Sequence, residues 1–245
     1  GCNVSDPLQF LLRMGDNSLV LGHRVSEWCG IAPVLEEDIA LANTALDLIG
    51  KTQLWLGLAA ECEDRGRDAD ALAFRRDVWD FRNLLLVEQP NRDFGHTMMR
   101  QFLFDAWHSL VLAALKSSDN SEIAAIAEKS LKEVTYHLER SSDTVIALGN
   151  GTEESHKRMQ AGLDRLWPYV GEMFLTDKHD LIDVAALRPA FDELTNDVLR
   201  TATLSIPTDN FTHKGGKTGA RHTEHLGHMI ATMQFLPRAY PDAKW

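Results

Sequence analysis

From Leu35 to Ala60 apolar side chains recur at alternating steps of four and three: Leu35, Ile39, Ala42, Leu46, Ile49, Leu56 and Ala60, with Gln53 the one polar interruption. Such spacing returns to one side of an α-helix every two turns, so the segment can bury its apolar groups only as a long helix laid against others. A second stripe, Leu41, Ala45, Leu48, Trp55 and Ala59, runs along the same segment. Two apolar faces predict a central helix packed on both sides. Helical periodicity continues through most of the chain, and no period-two segment bounded by turn residues interrupts it. The expected class is all-α.

Start and stop signals divide the pattern into long helices at about 6–29, 34–63, 95–117 and 120–149. The first opens at Ser5-Asp6-Pro7, and the fourth stops at Gly149-Asn150-Gly151. Between the pairs lies a charged stretch, 64–95, broken at Pro90-Asn91 and with room for one or two short helices. Two helix pairs joined by a long crossover predict a ferritin-like four-helix bundle. Shorter accessory helices follow at about 152–165, 187–203 and 221–237, the first capped by Thr152 and ended by Trp167-Pro168. With no internal repeat and no low-complexity tract, residues 1–245 read as one domain.

Charge narrows the partners. The 245 residues carry 36 Asp+Glu against 25 Lys+Arg, a net charge of −11. An acidic chain is poorly suited to nucleic-acid backbones or anionic membranes, which reward basic patches. Cys2, Cys29 and Cys62 match neither a disulfide framework nor a zinc module, and the N-terminal GCNVSDP lacks the basic and apolar regions of an export signal. A cytoplasmic setting is expected. Trp55 and Trp107 sit at core spacing, whereas the terminal Trp245 suggests docking onto something.

A ferritin-like bundle invites one chemical test. Its di-iron sites take a Glu from each of two helices and a Glu-x-x-His from each of the other two, because the i, i+3 step sets carboxylate and imidazole on one face. The corresponding positions here are degenerate: Asn17 or Asp16 on the first helix, Asp47 followed by Gly50 on the second, Asp105 on the third, and Val134 followed by His137 on the fourth. One inward His stands where two are needed. The in-register pair Glu153 and His156 lies in a helix first turn, where acids favour the N-terminal dipole. Catalytic residues and resident metals are therefore expected to be absent from this chain. Asn43, Asp47 and Lys51 form a polar stripe, and Asp47, Lys51 and Glu133, with Asp105 and His137 nearby, are expected to fill the core with a hydrogen-bonded network; the competing reading leaves Lys51 and Asn43 facing solvent or a partner. A second cluster, His222, Glu224, His225 and His228, has spacing that allows metal binding on one helix face or, equally, an ordered surface helix start. No phosphate loop, nucleophile elbow or Cys/His pair with a supporting acid is present.

Six stretches, LLRMGDNSLVLGHRVSEWCG, PVLEEDIALANTALDLIG, RNLLLVEQPNRDFGHTMMRQFLFDAWH, LKEVTYHLERSSD, LGNGTEESHKRMQ and HTEHLGHMIATMQFLPRAYPDAKW, together resemble the C-subunit family of bacterial ring 1,2-phenylacetyl-CoA epoxidases. The resemblance runs in order through nearly the whole chain. It implies a ferritin-like, non-catalytic structural subunit of a multicomponent monooxygenase in aerobic phenylacetate catabolism. Its partner would be a homologous catalytic A subunit that holds the di-iron centre, with further small subunits and a flavin and iron–sulfur reductase; the isolated chain could form a homodimer. The rival reading is an active di-iron oxygenase subunit with atypical ligands drawn from Asp16, Asp47, Asp105, Glu133 and His137, and a third is a plain homodimeric bundle that binds a ligand or acts as a chaperone. Under the resemblance, exposed apolar residues of the first two helices and the crossover would meet the A subunit.

Overall fold

The structure, a computed structural model, describes residues 6–209 and 211–239, with side chains through Gln234. Cys2 and Trp245 lie outside the described residues. Among those described, every regular element is helical, in an all-α arrangement consistent with a ferritin-like fold. The long helices are α1 (Leu8–Ser26), α2 (Leu35–Glu63), α5 (Phe94–Leu115) and α6 (Ser121–Gly149). The crossover between the pairs carries α3 (Ala69–Phe74), a 3-10 turn at Val78–Asp80 and the short α4 (Leu85–Glu88). Three accessory helices follow: α7 (Glu153–Leu166), α8 (Arg188–Thr201) and α9 (Glu224–Ala239).

Local chemistry sets the helix starts. Asp93, Asn120 and Thr152 sit in extended backbone and accept hydrogen bonds from the first-turn N–H groups of α5, α6 and α7. Glycine sets how closely α1 and α2 approach. A Cβ at Gly15 would meet Leu56 Cδ2 at 2.4 Å, and one at Gly22 would meet Leu48 Cβ at 3.2 Å. These contacts run in opposite directions along the two helices, which makes the pair antiparallel. Helix α5 packs along α6, and α2 meets α6 to close the bundle around one apolar core that includes Trp55, Phe102 and Trp107.

The structure corrects the expectation that α2 is central. The helices with the most enclosed surfaces are α1, nearly all of whose residues from Phe10 to Val25 are buried, and α5, buried continuously from Gly95 to His108. On α2 only the second stripe, with Leu41, Ala45, Leu48, Trp55 and Ala59, enters the core. Most of the first stripe faces outward: Leu35 is 69% exposed, Ile39 52%, Leu46 66% and Ile49 41%. Periodicity reports that a face is apolar, not what covers it.

Buried polar ties hold the crossover and the C-terminal segment to the bundle. Asp16 of α1 pairs with Arg76 and accepts from the N–H of Arg82 (2.8 Å). Arg13 pairs with Asp177 and, at 3.1 Å, with Asp180. Glu172 accepts the N–H groups of Leu85, Gly215 and Gly216, each at 2.8 Å, and of Lys217 at 3.3 Å. No helix among the described residues is long and apolar enough to cross a membrane.

Candidate functional site

A column of polar side chains runs through the bundle where α2, α5 and α6 meet. Lys51 of α2, only 2% exposed, donates from Nζ to Glu133 Oε2 of α6 at 2.6 Å. One turn away, Asp47 Oδ2 accepts from His137 Nε2 at 2.6 Å, and the other ring nitrogen of His137 meets Thr44 Oγ1 at 3.3 Å. From α5, Asp105 accepts from Gln101 Nε2 and from Ser141 Oγ, both at 2.8 Å. His108 lies one further turn along, packed against Phe104 with 4.9 Å between ring centroids.

Burial governs the electrostatics. The Asp105 carboxyl is pushed up to about 7, mainly by loss of water, with the hydrogen bonds from Ser141 and Gln101 and the charge of Lys51 pulling the other way. The same desolvation lowers His137, against the raising influence of Asp47. It drives His108 well below the ordinary histidine value, aided by the charges of Lys51 and His137. The column therefore holds two neutral imidazoles, a proton-retaining acid and one ammonium. Its outer acids, Asp47 and Glu133, are about one-third exposed and stay close to water.

Sequence spacing located most of this column but misjudged its register. Gly50 does not point inward: the space around a Cβ built on it is empty, and it shares the exposed face with Leu46 and Ile49. The i, i+3 pair that α2 actually turns inward is Leu48 and Lys51, 4% and 2% exposed. Asn17 does not join the column, because its Oδ1 accepts the N–H of Leu84 at 2.8 Å and so serves the crossover, as Asp16 does. A helix enclosed on several sides gives no sign in its sequence of which neighbour a polar residue addresses. The reading in which Lys51 faces solvent fails, and Asn43 is the member of the stripe left exposed. Asp47 takes His137, not Lys51, as its side-chain partner; Lys51 reaches only the Asp47 carbonyl, at 3.5 Å.

These residues do not suit a dinuclear iron site. Where two Glu-x-x-His pairs would project, the inward pairs are Leu48 with Lys51 and Val134 with His137, so both acids are missing and an ammonium replaces one imidazole. Both nitrogens of His137 and both oxygens of Asp105 are already engaged. Among the described residues no three His, Cys, Asp or Glu side chains are placed to hold a metal ion.

The histidine cluster near the C-terminus also separates. His222 precedes α9, and its ring is enclosed, with Nδ1 at 2.7 Å from Glu88 Oε2 and Nε2 at 2.8 Å from the Phe81 carbonyl. His225 and His228 lie on the helix without it. Sequence reasoning missed Glu88, a fully buried acid that also accepts from Thr223 N–H (2.7 Å), Thr223 Oγ1 (2.9 Å) and Asn83 Nδ2 (2.9 Å). Its signal was a single carboxylate closing the apolar run Leu84 to Val87. Glu153 and His156 stay in the first turn of α7, with His156 Nδ1 at 2.8 Å from the Gly149 carbonyl.

The remaining feature is a surface. Leu35, Ile39, Leu46, Ile49 and Leu54 form an exposed apolar strip along α2, with open space at Gly50 and Gly57 for another backbone to approach. Covering groups of this size removes roughly 1.5–3 kcal/mol of unfavourable hydration per fully buried side chain. The strip borders Asp47, and Glu133 lies across the seam with α6.

Comparison with known proteins agrees with this geometry. The chain is 44% identical over 244 residues to the C subunit of 1,2-phenylacetyl-CoA epoxidase from Escherichia coli (strain K12), and the match spans 96% of this chain and 98% of that protein. The family described as "Phenylacetic acid catabolic protein" matches residues 3–245, and with that extent of agreement the chain belongs to the phenylacetic acid catabolic protein family.

Proposed function

We propose that this chain is the non-catalytic structural subunit of a ring 1,2-phenylacetyl-CoA epoxidase, supporting a homologous di-iron catalytic subunit in aerobic phenylacetate catabolism. The observation that carries the reading is Lys51: an ammonium paired with Glu133 occupies the part of the bundle where a carboxylate-bridged metal pair would need acids. The 44% identity to an epoxidase subunit supports it. In this reading the iron belongs to the partner, this chain holds none, and the small subunits and reductase complete the assembly in the cytoplasm. The exposed strip of α2 is the surface offered to the catalytic subunit; the isolated chain can bury the same strip in a homodimer.

Reconstitution tests this directly. The catalytic subunit is prepared with and without this chain, and its solubility, iron content and phenylacetyl-CoA turnover are measured. The expected result is co-elution, iron found with the catalytic subunit, and turnover that depends on both chains. Two irons and O₂ uptake by this chain alone would overturn the proposal, as would full activity of the catalytic subunit without it.

A further inference from the structure

Away from the α2 strip, the connection from α8 to α9 folds back over the end of α7 and builds an aromatic platform. His213 is anchored by its N–H to the Pro168 carbonyl at 2.9 Å and stacks on Tyr169, with ring centroids 4.5 Å apart and planes 21° from parallel. Phe211 stands edge-on to His213 at 4.7 Å and is 58% exposed. Three arginines come to this place from separate parts of the chain: Arg92 from the end of the crossover, Arg165 from the last turn of α7 and Arg221 from just before α9. All three are exposed, and their charges converge on the Tyr169 hydroxyl.

None of these arginines has an acidic partner. Arg13, Arg24, Arg67, Arg76, Arg158, Arg188 and Arg200 all sit in ion pairs, whereas Arg92, Arg165 and Arg221 make none among the described residues. The buried acid whose charge also reaches Tyr169, Glu88, is committed to His222 and Thr223, and Asp209 is engaged with the N–H of Phe211 at 3.0 Å. In a chain of net charge −11, three unpaired guanidiniums around one aromatic stack form a local anion-attracting site against an acidic background. Guanidinium groups suit phosphate oxygens through paired N–H donors, and an exposed ring offers a face to a planar base. The overall acidity disfavours a polyanion and leaves a small phosphorylated ligand as the better fit.

We propose that Tyr169, His213 and Phe211, with Arg92, Arg165 and Arg221, form a binding site for a phosphorylated adenine nucleotide, namely the nucleotide portion of a coenzyme A thioester. The nucleotide class follows from the site; the choice of coenzyme A rests on the epoxidase reading above. The base stacks on the exposed aromatic edge, and the guanidiniums hold the phosphates.

Calorimetric titration of the full chain with coenzyme A, ADP and pantetheine tests this, at low and moderate salt and in parallel on Arg165→Ala, Arg221→Ala and Phe211→Leu. The expected result is sub-millimolar binding of coenzyme A and ADP, about a 4 kcal/mol interaction or better, with pantetheine silent. Each arginine variant should weaken binding roughly five- to tenfold, and added salt should weaken it further. Because the substituted side chains are exposed, the variants should unfold at the wild-type temperature. Binding of pantetheine as tight as that of coenzyme A, unchanged affinity in the arginine variants, or no binding at millimolar ligand would overturn the proposal. Co-elution of the same variants with the catalytic subunit separates the two readings: loss of nucleotide binding with co-elution intact refutes the site alone, whereas failure of the wild-type chain to co-elute refutes the epoxidase reading.

Discussion

Replacing Asp105 by Asn should stabilise the protein, and increasingly so as pH rises. The Asp105 carboxyl is held at about 7 in the folded chain, against 3.8 for the ordinary side chain. Between those values the unfolded state has released the proton while the folded state keeps it. The folded state then binds more protons, so this group's contribution to stability falls as pH climbs from near 4 through 7. Roughly three pH units at ~1.4 kcal/mol each set an upper bound near 4 kcal/mol, and structural relaxation reduces it to about 2–4 kcal/mol. Asparagine mimics the protonated form: its oxygen can accept from Gln101 Nε2, and its amide can donate to Ser141 Oγ, whose hydroxyl turns toward the Leu138 carbonyl. Thermal unfolding of wild type and Asp105→Asn at about pH 4.5, 6 and 8 should show a gap that widens with pH, reaching about 5–10 °C at the alkaline end for a chain of this size. A difference that stays flat with pH would refute the assignment of the retained proton to Asp105.

Three further outcomes are expected. Leu46→Glu combined with Ile49→Glu should leave the unfolding temperature of the isolated chain nearly unchanged, within about 0.5 kcal/mol, because both side chains are exposed on a helix. The same pair should abolish co-elution with the catalytic subunit, since carboxylates would be buried there unpaired; retained binding would show that the strip is not the interface. Lys51→Met should destabilise the chain by about 1–3 kcal/mol in urea unfolding, less than for a wholly buried pair because Glu133 is one-third exposed. Adding Glu133→Gln should recover most of that loss, and no recovery would mean that Lys51 acts through other partners. His222 has its pKa raised: burial alone would lower it, but the Glu88 contact and the Phe81 carbonyl outweigh that. Its stabilisation is fully present below the ordinary histidine value and is lost as pH rises through the elevated one. His222→Gln should remove that alkaline decline, measured as the pH dependence of unfolding relative to wild type.

Much of the architecture was legible because it depends on local rules. The long helices and the crossover follow from apolar spacing and from residues such as Asn120 and Thr152, which offer oxygens to the first turns they precede. The polar positions inside the bundle were legible for a related reason: Lys51, Asp105 and His137 interrupt apolar stripes. What could not be read was direction around the helix axis. Asp47 and Gly50 share the right spacing for a ligand pair, but α2 is rotated so that Leu48 and Lys51 point inward instead. Asn17 and Glu88 are silent in the sequence because their partners, Leu84 N–H and the His222 ring, are supplied by distant segments.

By itself the sequence determined that the chain is helical, that it pairs its long helices across a crossover, and that the usual Glu-x-x-His pairs are missing from the long helices. Helix periodicity and side-chain chemistry are local properties, and they survive any rearrangement of neighbours. Only the tertiary structure decided which apolar stripe of α2 enters the core and which is left outside it. It alone decided that Lys51 meets Glu133 while Asp47 meets His137. It also gathered Arg92, Arg165 and Arg221 around one aromatic stack. Those outcomes depend on how helices are rotated and where the chain returns, and residues far apart in sequence set both.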